Sequence, residues 1–410
     1  MNSELIRNDF PILKTKVGGH QIVYFDNAAT TQRPLPVVNA VLDYTTHENG
    51  NPHRGAHIFA ISASEAYDTS KEVVRDFIHA RSEKEIIYTR NTSESLNLVA
   101  RSYGETHLKA GDHILITIAE HHSNLVTWQR VAQKTGATLD YIYVDKETGH
   151  FPEEELKKID DPRVKLFAFA EVSNVLGIDF DPKPLIQRAH AHGAIVVLDG
   201  AQSTPHKIVD VQDLDCDFFA FSGHKMCSMG GIGVLYGKEE LLNDMEPFLM
   251  GGDMIEDVHE QETTYAELPA KFEAGTQYVE GAVSLVAAIR YIQAIGFDEI
   301  RAQEKRLVTR CLEGMKKLPF IHIIGPTDPE EKEGLVAFEV EGVHPHDVAQ
   351  ILSAEGICIR TGHHCAQPLH IYLGINASCR VSFYFYNTEE EVDYFLEKLK
   401  DVRKVMGYDD

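Results

Sequence analysis

The sequence lacks the long apolar runs that a membrane-spanning helix requires. No run of apolar residues in the 410-residue chain exceeds five, whereas a helix needs roughly 20 apolar residues to cross a bilayer. Residues 1–14 mix charges with single apolar residues and do not resemble a secretory signal. Internal repeats and low-complexity tracts are missing as well. We therefore expect a cytoplasmic protein with no membrane segment.

Positive charge is scarce in this chain. Its 39 Lys and Arg stand against 63 Asp and Glu, a formal net charge of −24, and such a surface repels phosphate backbones and anionic lipids. We expect neither a nucleic-acid partner nor a membrane-surface partner. The six cysteines include no C-x-x-C pair, which in a long chain is typical of reduced thiols. A functional cysteine should therefore act as a thiol.

The remaining composition is that of an ordinary globular protein, with 43% apolar and 25% charged residues. The chain is longer than the roughly 250 to 300 residues at which single cores stop growing. We predict a large domain over residues 20–284. Residues 1–19 and 285–410 are predicted to form a smaller domain.

Short apolar runs alternate with helical patterns in the central part of the chain, as in βαβ units with a mainly parallel sheet. Strands are predicted at residues 85–89, 113–117, 139–144, 165–170, 194–199, 217–221 and 233–236. Helices are predicted at residues 93–103, 124–134, 185–192, 283–295 and 297–317. The pattern indicates an α/β large domain with a mainly parallel seven-stranded sheet, followed by a smaller α+β domain.

A lysine follows one of these predicted strands. The segment DFFAFSGHK ends in Lys225, at the carboxyl edge of the sheet, where α/β folds bind ligands. A partly desolvated lysine has a depressed pKa, and its free amine can form a Schiff base with a carbonyl cofactor. Taken alone, Lys225 would more often be an ordinary surface lysine.

The preceding strand ends in Asp-Gly-Ala-Gln, with Asp199 first and Gln202 last. A carboxylate at this place can pair with a protonated pyridine nitrogen and keep the ring an electron sink, as pyridoxal phosphate (PLP) chemistry requires. Gln202 could donate to the phenolic oxygen of the ring. The alternative is that Asp199 is a helix N-cap.

Two further segments follow strands. Residues 90–95, RNTSES, open a helix, and a helix N-terminus with hydroxyl groups suits a phosphate, although a capping box explains the same residues. His121 and His122 come after the strand at 113–117. An imidazole there could stack on a cofactor ring, or could simply be hydrogen-bonded.

Near the end of the chain, a turn places Cys365 beside His363 and His364. A protonated imidazole would favour the thiolate and so activate a nucleophile. The alternatives are a metal site made of these three residues and a buried structural cysteine. Three consecutive side chains rarely converge on one ion, so we expect no metal. Arg380 can hold a substrate carboxylate or form a surface ion pair.

Together these motifs resemble those of PLP enzymes with the class V aminotransferase fold, and in the same order. They are FDNAATTQRP (25–34), NPHRG (51–55), AEHHSN (119–124), EVSNVLG (171–177), DGAQ (199–202), SGHK (222–225), FEAGT (272–276) and RTGHHC (360–365). Over residues 8–407 the chain resembles the group II, SufS-type cysteine desulfurases. This resemblance implies the aspartate aminotransferase-like fold of type I PLP-dependent transferases.

The resemblance also implies roles for single residues. Lys225 would bind PLP covalently and move protons, Asp199 would pair with the pyridinium, and His121 would stack on the ring. Other implied contacts are Gln202 to the phenolic oxygen, Thr92, Ser93, Ser222 and His224 to the phosphate, Thr276 to the phosphate from a partner subunit, and Asn174 and Arg380 to the substrate carboxylate.

The implied reaction converts L-cysteine to L-alanine through a quinonoid on PLP and a persulfide on Cys365. A SufE- or SufU-type carrier would accept the sulfur for iron–sulfur cluster assembly, and the enzyme would be a homodimer. The nearest alternatives are a selenocysteine lyase, a cysteine-sulfinate desulfinase or another enzyme of this fold. A catalytically idle scaffold is a further alternative, but it predicts loss of Lys225, Asp199 or Cys365.

The sequence departs from the family pattern after Lys225. Residues 226–231 read MCSMGG where a Gly-Pro turn is usual, and Gln277 stands where a proline is common. The role of Cys227, the sulfur acceptor and the substrate preference are therefore left open by the sequence.

Overall fold

The computed structural model describes residues 3–408, which fold around two main β-sheets. The larger sheet has seven strands in the spatial order Ile86–Thr89, Gly233–Gly237, Phe218–Ser222, Ile195–Asp199, Val164–Ala170, His113–Thr117 and Thr138–Ile142. Gly233–Gly237 runs antiparallel to both of its neighbours, and the other neighbouring pairs of strands are parallel. The predicted seven-stranded, mainly parallel sheet is confirmed, with strand ends displaced by at most two residues.

The strands of this sheet are apolar on both faces because helices cover both. In Phe218–Ser222 every residue is buried, and successive side chains enter different cores since they point to opposite faces. Phe219 and Phe221 belong to one core, whereas Phe218 and Ala220 belong to the other. Burial on both faces explains why these strands read as continuous apolar runs rather than as alternating patterns.

Helices make up most of the remaining structure. The longer ones are Leu35–His47, Ile58–Phe77, Thr92–Val99, Val126–Thr135, Pro182–Ala191, Val279–Ile295, Phe297–Met315, Pro345–Ala354, Gln367–Leu373 and Glu389–Val405. Shorter ones are Ser3–Arg7, Glu105–His107, Glu153–Leu156, Val211–Leu214 and Glu239–Asp244. The predicted helix at 93–103 ends as an α-helix at Val99 and continues as a π-helical segment, Ala100–Gly104.

The helix predicted at 283–295 begins four residues earlier, at Val279. Gly281 weakens the sequence signal for a helix because glycine has a low helix propensity. In the fold, glycine is required there, since a Cβ at this position would lie 2.2 Å from Cδ1 of Tyr278. Close packing therefore overrides the local propensity.

The smaller sheet is antiparallel. Its strands lie in the order Ile321–Ile324, Leu335–Val340, Ser378–Ser382 and Arg360–Gly362. Leu307, Phe338 and Phe395 belong to its core, which the helices of the C-terminal part cover. Minor strand pairs are Lys16–Val17 with His20–Gln21, Val23–Tyr24 with Ile357–Cys358, and Ile255–Val258 with Thr263–Tyr265.

The predicted division into residues 20–284 and the remainder stays a prediction. Its boundary falls within Val279–Ile295, whose buried Leu285 and Ile289 belong to a core of the large sheet. Val23 and Phe25, on the other side, belong to the core of the small sheet. Residues 1, 2, 409 and 410 of the predicted small domain lie outside the described residues.

No single helix within residues 3–408 has the length and composition to cross a membrane. The one pair that passes this test jointly is Val279–Ile295 with Phe297–Met315, and the two helices are bent by 76° at their junction.

Candidate active site

One cavity lies where the carboxyl ends of the large sheet face the small sheet. It has a volume of about 170 Å³ and opens to solvent. Among the residues that line it are all of the predicted site residues except Thr276: Thr92, Ser93, His121, Asn174, Asp199, Gln202, Ser222, His224, Lys225, Cys365 and Arg380. Residues separated by up to about 290 positions in the chain therefore meet in one place.

Lys225 ends the short turn Gly223–Lys225, directly after the strand Phe218–Ser222. Its burial among protein atoms lowers the pKa of its amine to about 8, with the charge of Arg380 in the same direction and Asp199 opposing it. A buried ammonium is disfavoured because it loses its hydration. The free amine, which is the nucleophilic form, is therefore populated near neutral pH.

Asp199 is the last residue of the strand Ile195–Asp199 and is 5% exposed. Its Oδ1 accepts the N–H of Ala201 at 2.9 Å. Burial raises the pKa of this carboxyl, while the charge of Lys225 lowers it. Turns rather than a helix follow Asp199, so the alternative of a helix N-cap is wrong.

Two polar side chains stand beside this pair. Gln202 donates one Nε2–H to the carbonyl of Ala28 at 2.8 Å, which leaves its second amide hydrogen for another acceptor. His121 accepts the N–H of Ser123 at Nδ1, at 3.1 Å. Burial and the charge of Lys225 lower the pKa of His121 to about 3, so this imidazole is a neutral flat ring at neutral pH.

The N-terminus of the helix Thr92–Val99 points at the other end of the cavity. Asn91 caps this helix by accepting the N–H of Glu94, and the Glu94 carboxylate accepts the N–H of Arg90 rather than that of Asn91, so the alternative of a capping box is not formed in full. Thr92 donates its backbone N–H to Ser222 Oγ at 2.8 Å, and the two hydroxyl oxygens are 2.7 Å apart. With Ser93 next in the chain, hydroxyls and helix N–H groups form a cradle suited to an anion.

His224 precedes Lys225 and also lines the cavity. Burial and the charges of Lys225 and Arg33 lower the pKa of His224 to about 4. At neutral pH its imidazole is neutral, so it offers a hydrogen bond to a phosphate rather than a positive charge.

Cys365 lies on a loop, residues 363–366, between the strand Arg360–Gly362 and the helix Gln367–Leu373. His364 and Cys365 have φ values of 50° and 58°, a left-handed conformation that non-glycine residues adopt only when their surroundings hold them. The thiol is half-buried and reaches the cavity. A buried structural cysteine, one of the alternatives, is therefore wrong for Cys365.

His364 does not fit the hypothesis that a protonated imidazole activates Cys365. Its Nε2 lies 2.9 Å from Ser378 Oγ, and burial together with the charge of Arg380 lowers its pKa to about 2. His363 points elsewhere, with Nε2 2.8 Å from the carbonyl of Asn376. The three side chains diverge, and within residues 3–408 no group of three or more His, Cys, Asp or Glu is placed to hold a metal ion.

Arg380 lies in the strand Ser378–Ser382 and is 2% exposed, so the alternative of a surface ion pair is wrong. Its Nη1 donates to the carbonyl of Asn174 at 2.8 Å, and Nη2 is 3.5 Å from Asp26 Oδ1. Its Nε has no hydrogen-bond partner among the described residues. Burial lowers the pKa of Arg380 to about 10. This guanidinium can accommodate an incoming carboxylate.

Three residues of the site were assigned no role from the sequence. Arg360 pairs with Arg380 across adjacent strands and lines the cavity. Asp26 is the acidic neighbour of Arg380, and Ser123 Oγ lies 2.5 Å from Ser93 Oγ. They belong to the motifs RTGHHC, FDNAATTQRP and AEHHSN, respectively. Membership of these motifs is the sequence signal that could have identified them.

Thr276 is not brought to this cavity within its own chain. It lines a neighbouring depression that shares Asn91 and Ser93 with the active-site cavity. Its predicted contact, from a partner subunit to the phosphate, therefore stays a prediction.

An amine, a buried carboxylate and an anion cradle at the carboxyl edge of this sheet define the class of PLP-dependent transferases. Residues 23–395 match the family model described as aminotransferase class-V. The chain is 47% identical over 408 residues, covering 100% of both chains, to a probable cysteine desulfurase of Halalkalibacterium halodurans.

Solved structures agree with this match. The cysteine desulfurase of Thermococcus onnurineus NA1, in its apo form, is 43% identical with a TM-score of 0.92, and 98% of each chain is covered. The cysteine desulfurase CsdA of Escherichia coli is 36% identical with a TM-score of 0.90, and 99% of each chain is covered. The chain belongs to the class V aminotransferase family and, within that family, to the cysteine desulfurases.

Proposed function

We propose that this chain is a PLP-dependent cysteine desulfurase of the group II type, which converts L-cysteine to L-alanine and retains the sulfur on Cys365 as a persulfide. The observation that carries the proposal is that Lys225, Asp199 and Cys365 line one cavity. A scaffold that kept only the fold would have no need for all three groups in one place.

The residues of the cavity fit PLP in charge and in donor type. Lys225 would hold the cofactor, Asp199 would pair with its ring nitrogen, and the neutral ring of His121 would stack on it. Thr92, Ser93, Ser222 and His224 would hold the phosphate, and Gln202 would donate to the phenolic oxygen. When bound, PLP withdraws the electrons released when a bond at the substrate's α-carbon breaks.

The chain's own groups then divide the work. Lys225, with its pKa lowered to about 8, exchanges protons with the substrate as a general base and acid. The Cys365 thiolate attacks the sulfur of L-cysteine, so that an S–S bond forms while the Cβ–S bond of the substrate breaks. The electron pair of that bond remains on carbon and takes up a proton. The products are L-alanine and the Cys365 persulfide.

Positive charge surrounds the reacting groups. Arg380, with its unpartnered Nε, would hold the substrate carboxylate together with Asn174. Arg360 lines the same cavity. The two arginines would therefore orient the substrate for attack by Cys365.

A matched pair of thiol variants tests the proposal. In Cys365→Ala we expect PLP binding to be retained while alanine formation from L-cysteine falls by roughly 100-fold or more, because the nucleophile is absent. Cys227→Ala should retain wild-type alanine formation. Normal alanine release by Cys365→Ala would contradict the persulfide mechanism.

Substrate preference is tested by measuring alanine from L-cysteine, L-selenocysteine and L-cysteine sulfinate side by side. We propose that L-cysteine is the substrate. If only L-selenocysteine or only L-cysteine sulfinate gave alanine efficiently, the protein would instead be a selenocysteine lyase or a desulfinase.

We also propose a cytoplasmic homodimer that hands its sulfur to a SufE- or SufU-type carrier for iron–sulfur cluster assembly. Thr276, which lies off its own cavity, would reach the phosphate of the partner subunit. The six cysteines are all free thiols, as suits a reducing compartment. A mixed dimer of one Lys225→Ala subunit and one Thr276→Ala subunit should then regain alanine formation, because one of its two sites has both residues intact.

A further inference from the structure

The loop that carries Cys365 is tied to the large sheet's side of the cavity by three hydrogen bonds. Asn174 donates its Nδ2–H to the carbonyl of His364 at 2.6 Å. His122 donates its backbone N–H to the carbonyl of Cys365, also at 2.6 Å. The third bond runs from the backbone N–H of Gln367 to Nε2 of His122 at 3.0 Å. His122 therefore contacts the chain on both sides of Ala366.

The loop needs such external support. His364 and Cys365 are both in the left-handed region, a conformation that is strained for residues other than glycine. Gln367 begins the helix Gln367–Leu373, and no side-chain cap bonds this helix from within its own segment. The imidazole of His122 supplies an acceptor for one of the N–H groups that a helix start leaves unpaired.

We propose that His122 is a positioning residue for Cys365, whose imidazole holds the nucleophile loop over the cavity by accepting the N–H of Gln367. This inference rests on the proposed function for its catalytic meaning, since it assigns the loop's thiol as the nucleophile. The hydrogen bond itself can be tested without any reaction.

The bond requires a neutral imidazole, because Nε2 can accept only when it carries no proton. Burial and the charge of His363 lower the pKa of His122 from its usual 6.5. The titratable groups around it are His121 on its own turn and His363 on the facing loop. The bond is therefore present at neutral pH and is lost as the pH falls through the lowered pKa.

The test compares His122→Phe, which keeps a ring but removes the acceptor, with His122→Gln, whose amide oxygen can accept. The matched control is His107→Phe, since His107 stacks on Tyr103 and a phenyl ring can keep that stack. The backbone bond from residue 122 to Cys365 can form in both His122 variants.

Hydrogen exchange of the Gln367 amide in the PLP-loaded protein is the direct readout. We expect exchange about 10-fold faster in His122→Phe, with wild-type protection in the control and most of it in His122→Gln. After correction for intrinsic rates, lowering the pH stepwise from about 7.5 should remove protection in wild type as His122 takes up its proton, but not in His122→Gln. Unchanged protection in His122→Phe would overturn the proposal. If that variant fails to fold, the pH comparison decides alone.

Kinetics provide the second readout. We expect kcat for alanine formation to fall by about 10-fold or more in His122→Phe with little change in KM, because a misplaced nucleophile lowers reactivity rather than binding. His122→Gln should recover most of the rate. A lost amide bond with unchanged kcat would overturn the positioning role. Absence of alanine formation in wild type would instead reject the proposed function, while the exchange result would still stand.

Discussion

The two sides of the active site are built in different ways. Asp199 and Lys225 stand at the ends of strands in the middle of the large sheet, where Asp199 is in register with Ala170 and with Ala220. Cys365 stands on a loop with two left-handed residues, held by a few hydrogen bonds from outside. The sheet edge places its two groups through the regular register of the strands, whereas the loop depends on individual hydrogen bonds.

The largest expected effect comes from removing the amine at the sheet edge. In Lys225→Ala we expect alanine formation to fall by about 10³-fold, because the amine proposed to bind the cofactor and to move protons is lost. Borohydride reduction followed by peptide mapping should attach PLP to residue 225 in wild type and not in the variant. Equal labelling of another lysine in wild type would contradict the assignment.

Asp199→Asn tests the charge at the same edge while keeping the size of the side chain. The asparagine side chain can still accept the N–H of Ala201, but its neutral amide cannot stabilise a protonated ring nitrogen of the cofactor. We therefore expect kcat to fall by about 100-fold. The PLP absorbance spectrum should change together with kcat. A variant with wild-type rate and spectrum would mean that Asp199 does not contact the cofactor ring.

Glu120 tests how the strand ends are tied together, and its effect is on stability. The buried carboxyl group of Glu120 accepts bonds from Thr117 Oγ1 at 2.5 Å and from the N–H of Ala170 at 3.2 Å. Burial raises the pKa of Glu120 from 4.5 to about 8, so the folded state binds its proton more tightly than the unfolded state.

Between about pH 4.5 and about pH 8, the unfolding free energy should therefore decrease as the pH rises, by at most about 1.4 kcal/mol per pH unit. Urea unfolding of wild type and of Glu120→Gln at several pH values measures this contribution. The wild-type curve should fall more steeply than that of the variant, and parallel curves would exclude the raised pKa.

The smallest expected effect comes from removing the buried thiol of Cys227. Cys227 is fully buried, and burial raises its pKa to about 12, whereas Cys365 is half-buried in the cavity. We expect Cys227→Ala to lose about 1 kcal/mol of unfolding free energy through the missing sulfur contacts, with alanine formation unchanged within about twofold. Cys365→Ala should instead keep the wild-type unfolding free energy and lose alanine formation. Thermal unfolding and alanine assays on both variants make the comparison.

Much of the site was predictable because the ends of strands can be recognised in the sequence. Asp199 and Lys225 each follow an apolar run that is too short for a helix, and parallel strands bring their carboxyl ends to one edge. The state of His364 was not predictable, since its low pKa depends on burial and on Arg380, which lies 16 residues further along the chain. The unpartnered Nε of Arg380 likewise appears only once strands from both sheets are assembled.

Local information in the sequence determined the seven strands of the large sheet, five of the longer helices and the identity of the reactive groups, because hydrophobic periodicity and residue chemistry are properties of short segments. Only the tertiary structure decided which imidazoles are neutral, which thiol reaches the active-site cavity and which residue supports the Cys365 loop. Desolvation and hydrogen-bond geometry depend on atoms from distant parts of the chain, and no short segment contains them.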